Sequence, residues 1–202
     1  MWILLDNRDS FTHILHHSLL LAGADDCQVV SSHEISVEGL IALNPERLII
    51  SPGPETPHQA GITMAALAHF VEKIPVLGIC LGHQAIGLHF GAQLVKAPTP
   101  MHGFKSWVRP EQPHPLFEGL PHPFEVMRYH SLALEGLSGT GLIPMAYTTD
   151  DHSLQVMVHE TFPCTGIQFH PESIGTPQGL QLLQNWVRWC KTVPEQRDQS
   201  TL

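Results

Sequence analysis

Cys80 stands in Val76-Leu77-Gly78-Ile79-Cys80-Leu81-Gly82-His83-Gln84, an apolar strand-like run that passes into a helical one, with glycines two residues before and two after the cysteine. A strand-turn-helix junction of this kind lifts a nucleophile clear of a sheet, as in the G-x-S-x-G elbow, here with sulfur in place of a hydroxyl. The glycines are expected to permit the strained turn and to clear the approach to the sulfur. The positive end of the following helix favours the thiolate, the reactive form. A lone cysteine is ordinarily inert core packing; flanking glycines at such a junction are what make Cys80 a candidate nucleophile.

A base for that nucleophile is available near the far end of the chain. Gly166-Ile167-Gln168-Phe169 reads as a strand, and His170-Pro171-Glu172 follows it. Residues two apart on an extended chain face the same way, so a carboxylate at 172 can fix the tautomer and orientation of an imidazole at 170. Acyl transfer also needs backbone donors for the oxyanion. Leu81, directly after the nucleophile, offers one N–H by the elbow geometry. The second is expected from Ser51-Pro52-Gly53-Pro54-Glu55-Thr56-Pro57, which follows the strand Leu48 to Ile50 and so falls at the same carboxyl edge of a parallel sheet. Its prolines remove competing donors and leave the Gly53 N–H free.

Holding these three segments together requires a sheet. Apolar runs at Trp2 to Leu5, Gln28 to Val30, Leu48 to Ile50 and Val76 to Ile79 alternate with segments of helical period at Phe11 to Ala22, Val37 to Leu43, Ile62 to Val71 and Gln84 to Phe90. That alternation predicts βαβ units on a buried parallel sheet. After about residue 92 shorter strands are predicted at Gln93 to Lys96, Ser106 to Arg109, Phe124 to Arg128, Ile143 to Tyr147, Gln155 to His159 and Gly166 to Phe169, separated by Pro and Gly turns, so this half reads as partly antiparallel. Gly179 to Cys190 carries Leu180, Leu183, Trp186, Val187 and Cys190 at helical spacing and is expected to be a closing helix with Trp186 in the core. No repeat, low-complexity block or linker divides the chain: one α/β domain is expected over 1–191, with a frayed polar tail over 192–202.

Composition narrows the function classes. The 202 residues are 43% hydrophobic, enough for a core without staples, so the four cysteines, which form no C-x-x-C pair, are expected to be reduced. A formal charge of −9 lacks the basic field of a nucleic-acid binder. No apolar run reaches the length of a membrane span, and Met1-Trp2-Ile3-Leu4-Leu5-Asp6 has no basic leader, which predicts a soluble cytoplasmic protein. His13, His16 and His17 share a predicted helix face at metal-ligand spacing, but with no cysteine or carboxylate cluster beside them they read as a solvated surface, and no metal site is expected.

Taken together, the sequence resembles the class I glutamine amidotransferases and, within them, the glutaminase subunits (component II) of anthranilate synthase and aminodeoxychorismate synthase. The likeness runs from Ile3 to about Trp189 and is carried by Asp6-Asn7-Arg8-Asp9-Ser10-Phe11-Thr12, Gly82-His83-Gln84-Ala85-Ile86, Met101-His102-Gly103, Arg128-Tyr129-His130-Ser131-Leu132 and Gln168-Phe169-His170-Pro171-Glu172-Ser173. The resemblance implies a flavodoxin-like three-layer α/β fold with a central, mostly parallel sheet. It implies a Cys80, His170, Glu172 triad, oxyanion donors at Gly53 and Leu81, and glutamine held by Gly53, Glu55, Gln84, Ser131 and Leu132. It further implies L-glutamine as substrate and ammonia passed to a separate chorismate-using synthase subunit (component I), approached through Asp9, Ser10, Phe11, His102 and Lys105. No cofactor is implied in this chain; magnesium is expected in the synthase partner. The chain departs from the subgroup at Glu55, where a small residue is usual and where the Gly-Pro-Glu arrangement resembles the glutaminase of GMP synthetase, and at Phe104, which displaces Lys105 by one place. A carboxylate at 55 should turn outward, since negative charge beside the oxyanion would oppose the reaction. A γ-glutamyl hydrolase or peptidase on the same fold would use the same Cys-His pair, and a catalytically silent regulatory subunit would show loss of Cys80, His170 or Glu172; all three are present.

Overall fold

The structure is a computed structural model that describes residues 1–97 and 99–193. Nine strands form one sheet in the order β2-β1-β3-β4-β11-β10-β9-β6-β7. Its first five members, β2 (Cys27–Ser31), β1 (Trp2–Asp6), β3 (Arg47–Ile50), β4 (Val76–Ile79) and β11 (Cys164–Ile167), are mutually parallel. The remaining four, β10 (Leu154–His159), β9 (Leu142–Thr148), β6 (Phe104–Pro110) and β7 (Phe124–Arg128), continue the sheet antiparallel. A separate two-stranded ribbon pairs β5 (Gln93–Lys96) with β8 (Leu132–Glu135).

Strands β3, β4 and β11 are buried at every position, as continuous apolar runs covered on both faces must be. Their two faces feed two cores. Leu4, Ile49, Leu77, Ile79 and Ile167 pack with α1 (Thr12–Leu21) and α5 (Gly179–Thr192), while Ile3, Leu5, Leu48, Ile50 and Val76 pack with α2 (Val37–Ala42), α3 (Thr63–Phe70) and α4 (Leu81–His89). The alternation Ile3, Leu4, Leu5 between cores is the two-residue period of a strand made visible. Three layers result, with the sheet in the middle. Trp186 is fully buried and meets Trp2 edge-on at 5.9 Å between ring centroids. Leu182 takes the place in the α5 stripe expected for Leu180, which is exposed.

Three boundaries differ from the sequence reading in ways that matter for the site. Helix α4 begins at Leu81, not Gln84, so Cys80 itself is the residue that caps it. Strand β11 ends at Ile167, which leaves Gln168 and Phe169 beyond the ladder. Strand β8 carries no strand signal in the sequence, because Leu-Ala-Leu-Glu is four residues long, has no β-branched side chain and pairs only with the peripheral β5. Of the tail expected from 192, Thr192 is still helical, and residues 194–202 lie outside the described residues.

Candidate active site

Cys80 sits where β4 becomes α4, with φ 51° and ψ −100°, a region that L-residues rarely occupy. Its amide donates to the Ile167 carbonyl at 2.8 Å and its carbonyl accepts from Gln84 N at 3.1 Å, so neighbouring β11 and the helix it starts hold the strained turn. The flanking glycines have a different task from the one expected of them. A Cβ on Gly82 would lie 2.5 Å from the Ile50 carbonyl oxygen, and one on Gly78 would lie 2.3 Å from that of Gly82. They let α4 seat directly on β3 and β4, and the strain itself is carried by the cysteine.

Beside the elbow, His170 Nδ1 donates to Glu172 Oε1 at 2.6 Å, with both side chains buried. The pair forms across a turn, in which Ser173 N donates to His170 O at 3.3 Å, and not along an extended segment. The Thr176 hydroxyl caps the same carbonyl at 2.7 Å. Phe11 and Tyr129 pack their rings against the imidazole at 5.5 Å and 5.0 Å, fixing its plane. With Nδ1–H committed to Glu172, Nε2 is the nitrogen left for proton transfer, and it is buried without a hydrogen-bond partner among the described residues. Burial alone would lower the pKa of His170; the Cys80 sulfur and the Glu172 carboxylate beside it overcome that and hold it well above the ordinary histidine value.

A cavity of about 240 Å³ opens over the sulfur, lined by Gly53, Pro54, Glu55, Cys80, Leu81, Gln84, Tyr129, His130, Ser131 and Leu132. Every residue expected to serve the oxyanion or the glutamine is on its wall. A larger cavity of about 760 Å³ lies along the 110–122 loop and touches none of the triad. As the first residue of α4, Leu81 has no preceding turn to accept its N–H. Gly53 is pressed against the same corner: a Cβ there would lie 2.7 Å from Asn7 Cβ and 3.2 Å from Leu81 Cδ1. The loop base is tied down by buried bonds from Asn7 N to Ser51 Oγ (2.9 Å), Asn7 Nδ2 to Ser51 O (3.0 Å) and Thr63 Oγ1 to Asn7 Oδ1 (2.6 Å). Glu55 is exposed at the rim and has φ 62°, a left-handed conformation that glycine would adopt without strain.

The far wall is anchored by a fully buried cation. Arg128 donates from Nη2 to Asp151 at 3.0 Å, from Nη1 to the Ser106 hydroxyl at 3.1 Å and from Nε to His130 Nε2 at 3.2 Å. Since His130 Nε2 must accept, its Nδ1–H donates to the Leu132 carbonyl at 2.9 Å. Burial and then the guanidinium push the pKa of His130 down to about 4, so the ring is neutral and its tautomer fixed. Burial would raise the Asp151 carboxyl, but Arg128 and the Thr148 hydroxyl pull it below its usual range. The Ser131 carbonyl is engaged by Ala97 N at 2.9 Å, while its N–H has no acceptor among the described residues, so this wall offers donors to a carboxylate. Arg128, Tyr129, His130, Asn7 and Ser51 were not singled out individually from sequence. Their signal was polar side chains at the ends of apolar strands.

Of the residues expected to face a partner, Asp9 and Phe11 lie against the triad: Phe11 touches His170, and the Asp9 carboxyl is raised by burial and senses both His170 and Glu172. Ser10 is exposed, His102 meets the Ser131 hydroxyl at 3.1 Å, and Lys105 pairs with Glu125 at 2.8 Å. His16 donates to the Cys27 carbonyl at 2.8 Å, while His13 and His17 are exposed.

Residues 3–189 match the family model described as glutamine amidotransferase class-I. The chain belongs to that family. It is 42% identical over 193 residues to an anthranilate synthase component 2 of Pseudomonas aeruginosa, covering 93% of this chain and 95% of that one. It is 40% identical over 191 residues to an aminodeoxychorismate synthase component 2 of Serratia marcescens, covering 93% and 99%. Among solved structures it superposes on a putative GMP synthase subunit from Thermoplasma acidophilum with a TM-score of 0.82 at 28% identity, over 95% of this chain and 94% of that one.

Two outcomes follow from the cavity walls. Glu55→Gly should change glutamine turnover by less than about tenfold, because the carboxylate stands at the rim. The relief of left-handed strain and the greater freedom of unfolded glycine should roughly cancel in stability. A loss of several hundredfold in kcat/KM would make Glu55 a primary substrate contact. For Asp151, whose folded pKa is depressed, the stabilising contribution is present above the unfolded value of about 3.9 and is lost as pH falls through the folded one. The gap in urea midpoint between the protein and Asp151→Asn should therefore be widest near neutrality and shrink markedly by about pH 3. A gap that stays constant over that range would contradict the Arg128–Asp151 linkage.

Proposed function

We propose that the chain hydrolyses L-glutamine to glutamate and ammonia as the glutaminase component of a chorismate-aminating synthase. The observation that carries the reading is that the Cys80 elbow, which lines a cavity of about 240 Å³, has the buried His170–Glu172 pair beside its sulfur. The Cys80 thiolate attacks the side-chain amide carbon, and the oxyanion is met by the N–H groups of Leu81 and Gly53. His170 Nε2 delivers its proton to the leaving nitrogen, which departs as ammonia, and then takes a proton from water as the water attacks the glutamyl thioester. Both Nε2 hydrogens of Gln84 are used, on Leu132 O at 3.4 Å and Gln168 Oε1 at 3.2 Å, so Gln84 presents its oxygen to the cavity, an acceptor suited to the substrate ammonium. The Ser131 N–H and hydroxyl suit the carboxylate at the same end.

The relatives' names support the acceptor side of the reading: both belong to second components of synthases, and the alignments cover nearly the whole of each. A small cavity closed by Gln84, Ser131 and Leu132 favours free glutamine over a γ-glutamyl peptide. Ile174, two residues past Glu172, is fully exposed, which fits a surface covered by a first component that receives the ammonia. No helix among the described residues is long and apolar enough to cross a membrane.

In the complex with the synthase partner, Cys80→Ala should abolish glutamine-dependent product formation while leaving ammonia-dependent formation within about twofold of the wild type, because the cysteine serves only to liberate nitrogen. Retained use of glutamine by the variant would overturn the assignment.

A further inference from the structure

We propose that Gln168 is a further catalytic residue, an amide donor to the Cys80 sulfur whose polarity is locked by the wall that holds the substrate. Its Nε2 lies 3.6 Å from Cys80 Sγ, the side chain is fully buried, and its backbone is pinned by a bond from Gln168 N to Gln155 O at 2.8 Å. The direction of the amide follows from a chain of obligate roles. The Leu132 carbonyl can only accept, so Gln84 must turn its nitrogen towards it. That same nitrogen reaches the Gln168 side chain at 3.2 Å and requires an oxygen there. Gln168 is left with its NH2 group facing the sulfur.

An N–H aimed at sulfur stabilises the thiolate relative to the thiol, because a hydrogen bond to a charged acceptor is stronger than one to a neutral group. It also places a dipole at the nucleophile that is continuous, through Gln84 and Leu132, with the residues assigned above to the glutamine. The neutral His130 supports the same carbonyl from the other side. Glutamine bound against Gln84 and Ser131 thus polarises a chain of three hydrogen bonds that ends on the attacking atom. This inference rests on the reading of Cys80 as the nucleophile.

Alkylation of the full chain by iodoacetamide at neutral pH, followed residue by residue by mass spectrometry, tests both separately. Burial pushes the Cys27 and Cys190 thiols up to about 11 and the Cys164 thiol higher still, so Cys80 should react far ahead of them. Gln168→Met, which keeps the volume but removes the donor, should slow Cys80 alkylation by roughly tenfold, the scale of one hydrogen bond to a charged group. It should lower kcat for glutamine with KM changed by less than about twofold, as for an interaction made with the reacting atom. Gln168→Glu should be slower still, since an isosteric carboxylate repels the thiolate. A packing role would give the reverse order, with the isosteric Glu closest to wild type. If Gln168→Met fails to fold, Gln84→Leu carries the test, because it frees the Gln168 amide to turn and should slow alkylation by about threefold. Alkylation unchanged in folded variants, or Glu faster than Met, overturns the role of Gln168 alone. A wild-type Cys80 no faster than the buried thiols overturns the nucleophile itself.

Discussion

The backbone of Cys80 is the constraint around which the rest is arranged. A cysteine at φ 51°, ψ −100° costs on the order of 1–3 kcal/mol against a relaxed conformation and persists only where its surroundings over-determine it. They do so from three directions: the Ile167 carbonyl takes its N–H, Gln84 N caps its carbonyl, and Gly82 lets α4 press against Ile50. Because β3, β4 and β11 are adjacent and parallel, their carboxyl ends open on the same edge of the sheet. Gly53, Cys80 and the Gln168–Glu172 segment each follow one of these strands, so the oxyanion loop, the nucleophile and the base meet without any long connection having to reach across.

Around that point the protein drives titratable groups in opposite directions. Against the effect of burial, the Cys80 sulfur and the Glu172 carboxylate raise the pKa of His170, whereas His130 is pushed to about 4 by burial and Arg128 and His83 to about 3 by complete burial. One imidazole is kept for proton transfer while His130 serves as a neutral fixture oriented by Arg128 and the Leu132 carbonyl. Separating the roles of like groups by environment in this way is characteristic of acid–base sites. The buried Arg128 is less a source of stability than of orientation, since a paired interior charge roughly recovers its own desolvation. What it secures is the tautomer of His130, and through it the Leu132 carbonyl.

Much of this was legible in the sequence, because the parts that carry the chemistry coincide with strong local signals. Alternating apolar runs gave the parallel half and its helices, and the glycines around Cys80 marked the elbow. What escaped was of two kinds. Strand β8 lacks a propensity signal and exists only because β5 offers an edge to pair with, so no local rule could find it. The reasons attached to correct residues were the other gap. The glycines at 78 and 82 serve helix-to-strand contact, His170 and Glu172 meet through a turn, and Asp9 and Phe11 lie beside the base as well as near the surface. Each of these depends on which residues become neighbours through tertiary packing, and spacing along a chain does not encode that. Glu55 is the converse case: an unusual residue noticed in the sequence acquired a physical meaning only when its left-handed backbone was seen.

The most direct test of the site as a whole is to trap the acyl intermediate. The protein, with its synthase partner, would be quenched in acid during turnover of isotopically labelled glutamine, digested, and examined for a glutamyl group by mass spectrometry. The expected result is one labelled glutamyl group on the peptide bearing Cys80, released by hydroxylamine as a thioester should be. Turnover without any labelled peptide, or label on Cys27, Cys164 or Cys190 instead, would contradict the assignment of Cys80 as the attacking atom.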